Sequence, residues 1–236
     1  DITDFDEAAG GRYYIVMKWL DGKTLKEYVS SENRPSEKTI RKWMEECCQG
    51  MIAMGERRII HRDLKPSNIM ILTHTEGLRI IDFGLAKVLE AEETGSAAPL
   101  PPSVSEQEVE SSALDSGAEA DQTEDLGFTN TLTQPGKPMG TSPYMAPEVW
   151  EGSENADERS DIYSFGVAFY EVLTSKMPFR AKKKAGWRHK HQQATPEAPR
   201  ARRKTLSRSI NDIILKCLEK DPNDRFQSFN EVFEEL

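Results

Sequence analysis

Cysteine is scarce in this chain, with three among 236 residues, and the three do not pair by spacing. Cys47 and Cys48 are adjacent and Cys217 is distant, so there is no CxxC unit and no even framework. A disulfide scaffold is thereby excluded. The thiols read as small core residues of a protein from a reducing compartment. Long apolar runs are missing too, and none approaches the roughly 18 residues of a membrane span. No stretch has the anatomy of a signal peptide. The first residue is Asp rather than Met, which reads as an excerpt of a longer protein. A cytoplasmic setting is expected for the segment, with any membrane anchor lying outside it. Apolar content of 37% beside 30% charged residues describes a globular chain with a polar insert, long enough for one large domain or two small ones.

The net charge of −9 hides two opposed blocks. Glu90 to Leu126 holds eleven acidic residues and no Lys or Arg. Lys176 to Arg208 holds twelve Lys or Arg against Glu197 alone. Overall acidity therefore says little about partners. Residues 90–127 are rich in Ser, Ala, Pro and Glu and nearly without aromatics, so they cannot bury enough surface to offset their ordering entropy and read as disordered.

Elsewhere the periodicity speaks. Residues 12–20, "RYYIVMKWL", predict a buried strand. A short helix is expected over Thr24 to Val29. Ser36 follows Pro35 as an N-cap, and Ile40, Trp43, Met44, Cys47, Cys48, Met51 and Ile52 recur at helical spacing to about Gly55. Short strands are expected at 59–60, 69–72 and 78–81. "SDIYSFGVAFYEVL" (160–173) is apolar nearly all round, the mark of a helix at a domain centre. Ile210, Ile213, Ile214, Cys217 and Leu218 predict another helix, and Ser228 with Glu231 a capping box that opens the last. The class is α+β, mostly helical, with its strands towards the N-terminal side.

Between the strands at 59–60 and 69–72 lies the polar loop "HRDLKPSN". H-x-D alone is a weak signal. Here it is followed by "DFG" (82–84), "APE" (146–148) and the central helix that begins near Asp161. That order and spacing resemble the large lobe of the eukaryotic-type, or Hanks-type, serine/threonine protein kinases. "GTSPYMAPE" and "RSDIYSFGV" suggest the bacterial branch. The resemblance covers nearly all of the chain except the acidic insert.

The resemblance implies transfer of the γ-phosphate of ATP to Ser or Thr of protein substrates, with Mg²⁺. Asp63 would accept the substrate hydroxyl proton, Lys65 would neutralise the moving phosphate, and Asn68 and Asp82 would hold the metal. The plain alternative for Asp63 and Asn68 is loop capping through backbone hydrogen bonds. His61 is expected to be structural. Arg62 would pair with a phosphorylated activation-loop residue, for which Thr129, Thr131 and Thr133 are candidates. Lys65 and Thr141 mark serine/threonine rather than tyrosine substrates, Thr141 at the substrate-binding position. Glu148 and Arg225 would form a buried ion pair, and Asp161 would brace the catalytic loop.

One part of the pattern does not occur in residues 1–60, namely the Gly-rich loop, the "VAIK" lysine and the helix glutamate. "IVMK" (15–18) imitates the lysine strand, but only 17 residues separate Lys18 from Ser36, too few for the elements that should follow. Residues 1–17 are therefore read as a remnant of the small lobe, 18–22 as the hinge and 23–236 as the large lobe. Met17 would stand behind adenine, the backbone of Lys18 and Leu20 would bond its edge, and Met70 would form the floor beneath it. Residues 1–236 by themselves are expected to transfer phosphate poorly.

Two other readings compete: a truncated kinase or pseudokinase acting as a protein-binding module, and a small-molecule phosphotransferase, against which "APE", Thr141 and Arg225 argue. The acidic insert either folds back on the basic segment 176–208 or is a solvated linker beside a solvated face. No base-stacking platform beyond Trp187 supports nucleic-acid binding. The pair of histidines at 189 and 191 is too sparse for a metal site.

Overall fold

The computed structural model describes residues 2–8, 12–30, 34–75, 77–82, 87–88 and 142–236. The elements in chain order are β1 (Ile2–Ala8), β2 (Arg12–Met17), β3 (Gly22–Thr24), α1 (Leu25–Ser30), α2 (Glu37–Gly55), β4 (Ile59–Ile60), β5 (Ile69–Leu72), β6 (Leu78–Ile80), β7 (Lys87–Val88), α3 (Glu158–Thr174), α4 (Lys184–Gln193), α5 (Pro199–Arg202), α6 (Arg208–Cys217) and α7 (Phe229–Glu235). The expected α+β class, mostly helical, holds.

Strand β2 pairs antiparallel with β1, a strand that the sequence reading passed over. The segment 12–20 is not the buried strand expected of it. It ends at Met17, Tyr14 and Val16 are exposed, and Trp19 is 88% exposed. β-branched and aromatic composition reports fitness for a pleated strand, and burial depends on what covers each face. A three-stranded antiparallel sheet runs in the order β3-β5-β6, with Thr24 opposite Met70 and Ile69 opposite Ile80. Gly22 is required at the head of β3, because a Cβ there would run into the carbonyl oxygen of Ile71 on the neighbouring strand.

The core lies between α2 and α3. Ser36 caps α2 by accepting the Thr39 amide at 3.1 Å, and Ile40, Trp43, Met44, Cys47, Cys48 and Met51 form its buried stripe. In α3 every residue from Ser160 to Thr174 is buried. Its start is fixed by Asp157 and Ser160, which exchange hydrogen bonds across the first turn, and its end by Ser175 in the left-handed region at φ 55°. Gly166 lets α6 approach α3 closely, since a Cβ there would stand 2.7 Å from Cys217 Cβ. At α7 Ser228 Oγ accepts the Glu231 amide as expected, but the Glu231 carboxylate takes the Gln227 amide rather than that of Ser228. Half of the expected capping box is thus replaced by a neighbouring contact. The expected insert 90–127 lies outside the described residues.

Candidate active site

Residues 61–68 form a loop between β4 and β5 that closes in a 3₁₀ turn, Pro66–Asn68. Proline suits the first position of such a turn, where no amide hydrogen is needed. The chain reverses at Arg62, whose φ is 67°. A bulky residue held there needs support. Asp161, in the first turn of α3, supplies it. Its carboxylate accepts the His61 amide at 2.7 Å and the Arg62 amide at 2.8 Å. Burial pushes the pKa of Asp161 up to about 7, against the pull of those two amides and of the Arg62 charge.

His61 is fully buried, and its Nδ1 accepts the Asp63 amide at 3.3 Å. Burial holds its pKa below the ordinary imidazole value, so the ring stays neutral beneath the loop. That is a positioning role.

Above this support, Asp63, Lys65 and Asn68 converge. Lys65 Nζ lies 2.6 Å from Asp63 Oδ2. Asn68 Nδ2 donates to the Asp63 carbonyl at 2.9 Å and reaches Asp63 Oδ2 at 3.3 Å. Asn68 is 4% exposed, so these bonds lock its amide in one orientation. Its NH₂ is turned to Asp63, which leaves Oδ1, approached by Ser67 Oγ at 3.3 Å, as the oxygen a hard cation would take. The Asn68 carbonyl accepts the Ile81 amide at 2.8 Å, which ties the end of the β5–β6 hairpin to the loop. Asp82 follows at once with φ 63° and is exposed. An Asn oxygen and an Asp carboxylate form the oxygen donor set that Mg²⁺ prefers. Among the described residues no group of three or more His, Cys, Asp or Glu forms a metal site.

A cleft of about 360 Å³ opens beside Lys65 and Ser67, walled by Lys26, Tyr144, Glu171 and Trp187. Glu171 is buried, yet both its oxygens are engaged, by Lys26 Nζ at 2.8 Å and by the Tyr144 hydroxyl at 2.6 Å. Burial and the Glu171 charge push the Tyr144 phenol well above its ordinary pKa, so it remains a donor. The sequence reading missed this trio. The signal was Glu171, the one carboxylate in the apolar run of α3 that follows Asp161.

Arg225 and Glu148 meet as expected, Nη1 to Oε1 and Nη2 to Oε2, both at 2.9 Å. The carbonyls of Glu219, Arg159 and Lys220 take the three remaining guanidinium hydrogens, and Ser160 Oγ donates to Glu148 at 2.6 Å. A buried guanidinium with all five donors matched is the arrangement in which burying the charge is tolerable.

The other expected site residues are more scattered. Met17 ends β2, Lys18 and Leu20 lie in the link between β2 and β3, and Met70 stands half-buried on β5 two residues beyond Asn68. Thr129, Thr131, Thr133 and Thr141 lie outside the described residues.

A family model described as "Protein kinase domain" matches residues 5–112 and 121–235. The chain belongs to the protein kinase domain family. Members of this family generally use ATP with Mg²⁺. Among curated relatives, the serine/threonine-protein kinase PknB of Mycobacterium tuberculosis is 31% identical over all of this chain, which covers 32% of that protein. PknB of Mycobacterium leprae is 29% identical over the same span. The serine/threonine-protein kinase PrkC of Bacillus subtilis is 29% identical over 93% of this chain and 28% of its own length. The chain thus spans about a third of the length of the curated relatives it matches. No helix among the described residues is long and apolar enough to cross a membrane.

Proposed function

We propose that the protein to which this chain belongs transfers the γ-phosphate of ATP to serine or threonine of protein substrates, with this loop as its catalytic centre. The observation that carries the reading is the hydrogen-bonded set Asp63–Lys65–Asn68 on a loop held from beneath by Asp161. Asp63 receives the proton of the attacking hydroxyl. Lys65, already within 2.6 Å of Asp63, meets the charge that develops on the transferring group. Asn68 Oδ1 and Asp82 would hold Mg²⁺, which supplies neutralisation of phosphate charge when bound. Positioning and charge neutralisation are what a loose phosphoryl-transfer transition state asks of a protein. Met17, Met70 and the backbone at Lys18 and Leu20 are the adenine contacts in this reading, and residues 1–17, 18–22 and 23–236 are small-lobe strand, hinge and large lobe.

The cleft beside Lys65 gives a protein substrate room at the catalytic base, and Thr141 is two residues ahead of Pro143 in its wall. Arg62 is the anchor for a phosphate on Thr129, Thr131 or Thr133. Arg180, Lys182, Lys183, Lys184, Arg188 and Lys190 are exposed, which supports the basic segment as the surface on which the acidic block folds back. Unchanged binding and activity after deletion of residues 91–126 from the full-length protein would exclude that contact.

The test of the main reading is transfer of labelled phosphate from ATP by the full-length protein to peptides offering Ser, Thr or Tyr. Phosphoserine or phosphothreonine is expected, with Asp63→Asn lowering the rate by about 10²–10⁴-fold, the usual worth of a positioned acid–base group. Transfer to an aminoglycoside instead, or none by the full-length protein, would overturn it.

A further inference from the structure

A second concavity, of about 700 Å³, lies between the start of α2 and the sheet strands β3 and β5, outside the catalytic loop. Among the described residues Lys23, Arg34, Lys38 and Lys42 line it, and no carboxylate does. The four cations come from two walls. Lys38 and Lys42 stand one turn apart on α2, Arg34 lies just ahead of that helix, and Lys23 is on β3 opposite Ile71. Lysines on a solvated helix face would point away from a groove rather than across it.

Lys38 is the second residue of α2 after its N-cap Ser36. The helix macrodipole makes that end positive and favours an acid there, so a lysine adds to the field instead of relieving it. The carboxylates nearby each hold another partner, and two of them also face the cations, Glu27 towards Lys23 and Glu46 towards Lys42. Glu37 accepts the Ser207 amide at 2.8 Å, Glu27 the Thr24 amide at 2.7 Å, and Asp21 lies 3.3 Å from His74. Glu46 accepts the Leu78 amide at 2.6 Å and is 3.7 Å from Lys42, which stays half-exposed.

The groove also has an apolar base. Tyr28 and Trp43 pack with ring centroids 5.0 Å apart, beside Ile71 and Leu72. Trp43 is 4% exposed and backs the partly exposed Tyr28, which with Leu72 gives an aliphatic side chain a surface to rest on. Leu72 is four residues beyond Asn68 along an extended strand, about 13 Å at 3.3 Å per residue.

We propose that this groove docks an acidic segment of a partner protein, with carboxylates on Lys23, Arg34, Lys38 and Lys42 and one aliphatic residue on the Tyr28–Trp43 base. A partner held there keeps a hydroxyl elsewhere in its chain close to Asp63, so docking raises the local concentration of that hydroxyl without taking part in transfer.

The probe is a fluorescent twelve-residue peptide of Asp and Glu with one central Leu, titrated by anisotropy into the full-length protein without ATP. Binding that weakens with salt is expected, as is a loss of about tenfold or more in both Lys38→Glu/Lys42→Glu and Lys23→Glu. Lys38→Glu places an acid in the first turn of α2, which the helix dipole favours, whereas Lys42→Glu sets a like charge beside Glu46, so the melting curve of the double variant checks that it is folded. Arg57→Glu, an exposed position just past the far end of α2, should bind as the parent does. The proposal fails if the folded groove variants bind unchanged, or if only Lys182→Glu/Lys183→Glu/Lys184→Glu loses binding. It fails equally if a single-stranded oligonucleotide of the same charge binds the groove more tightly than the peptide. Because no turnover is read, a lack of binding is distinct from a lack of catalysis.

Discussion

Asp161 and Arg62 meet across 99 residues of chain, the carboxylate accepting at 2.8 Å an amide whose own residue sits at φ 67°. The backbone strain of the loop 61–68 is thus held by one side chain from the central helix. Asp161→Asn keeps the shape but turns an NH₂ towards an N–H donor. A buried donor left unmatched costs about 1–3 kcal/mol. Urea unfolding should show that loss, and phosphoryl transfer should fall further than the change in folded fraction explains.

Arg225→Ala should destabilise the domain by about 3–5 kcal/mol, the usual result of leaving one partner of a buried ion pair alone. Arg225→Lys should not restore it, because an ammonium has three donors and five acceptors are waiting. Denaturant midpoints of the two variants would show this. A midpoint for the lysine variant equal to that of the parent would mean that charge, not the planar fork, is what the site needs.

His191 gives the fold an acid limit. It is buried against Phe179, Trp187 and Tyr163, with its Nδ1 2.9 Å from the Tyr163 hydroxyl and Lys220 nearby. Burial, then the Lys220 charge, lowers its pKa to about 3 from 6.5. The unfolded chain therefore binds the proton first. The contribution of neutral His191 is whole above pH 6.5 and is lost as pH falls through 3. At about 1.4 kcal/mol per unit this amounts to at most about 5 kcal/mol. His191→Phe should be less stable at neutral pH, having lost the bond to Tyr163, and should lose less stability between pH 6.5 and 3. Comparing the two proteins across pH cancels the opposite trend from Asp161.

Much of this was legible in the sequence because local chemistry and spacing agreed. Ser36, the α2 stripe and the closed apolar ring of α3 each follow from periodicity, and the loop residues from a motif whose order along the chain was itself informative. What escaped were features set by contacts distant in sequence. Tyr14 and Val16 have strand character, yet composition alone does not report what covers them. Lys26, Tyr144 and Glu171 are 27 to 145 residues apart, so no local pattern links them. α4 was hidden because its basic residues mask its periodicity and only His191 is buried.

The three thiols are all buried, and burial raises each above the ordinary thiol pKa, Cys217 to about 12. Reagents that attack thiolates should leave the native protein unmodified at neutral pH and label all three cysteines in denaturant. Mass spectrometry before and after unfolding reads the count. A native adduct on Cys47, Cys48 or Cys217 would contradict the packing of α2 against α3 and α6.

Helix α3 also works as a ruler. Asp161 at its start holds the loop 61–68, Gly166 in its middle admits α6, and Glu171 near its end reaches the cleft beside Lys65. Ten residues at about 1.5 Å each set the first and last of these roughly 15 Å apart, with Gly166 midway, and fix their angles around the axis. One residue inserted between Gly166 and Glu171 would swing Glu171 about 100° away from Tyr144 and Lys26 while Asp161 stayed in place. The length of this helix is therefore as much a part of the site as the residues on it, and descendants of the gene should accept substitutions along α3 far more readily than a change in its count.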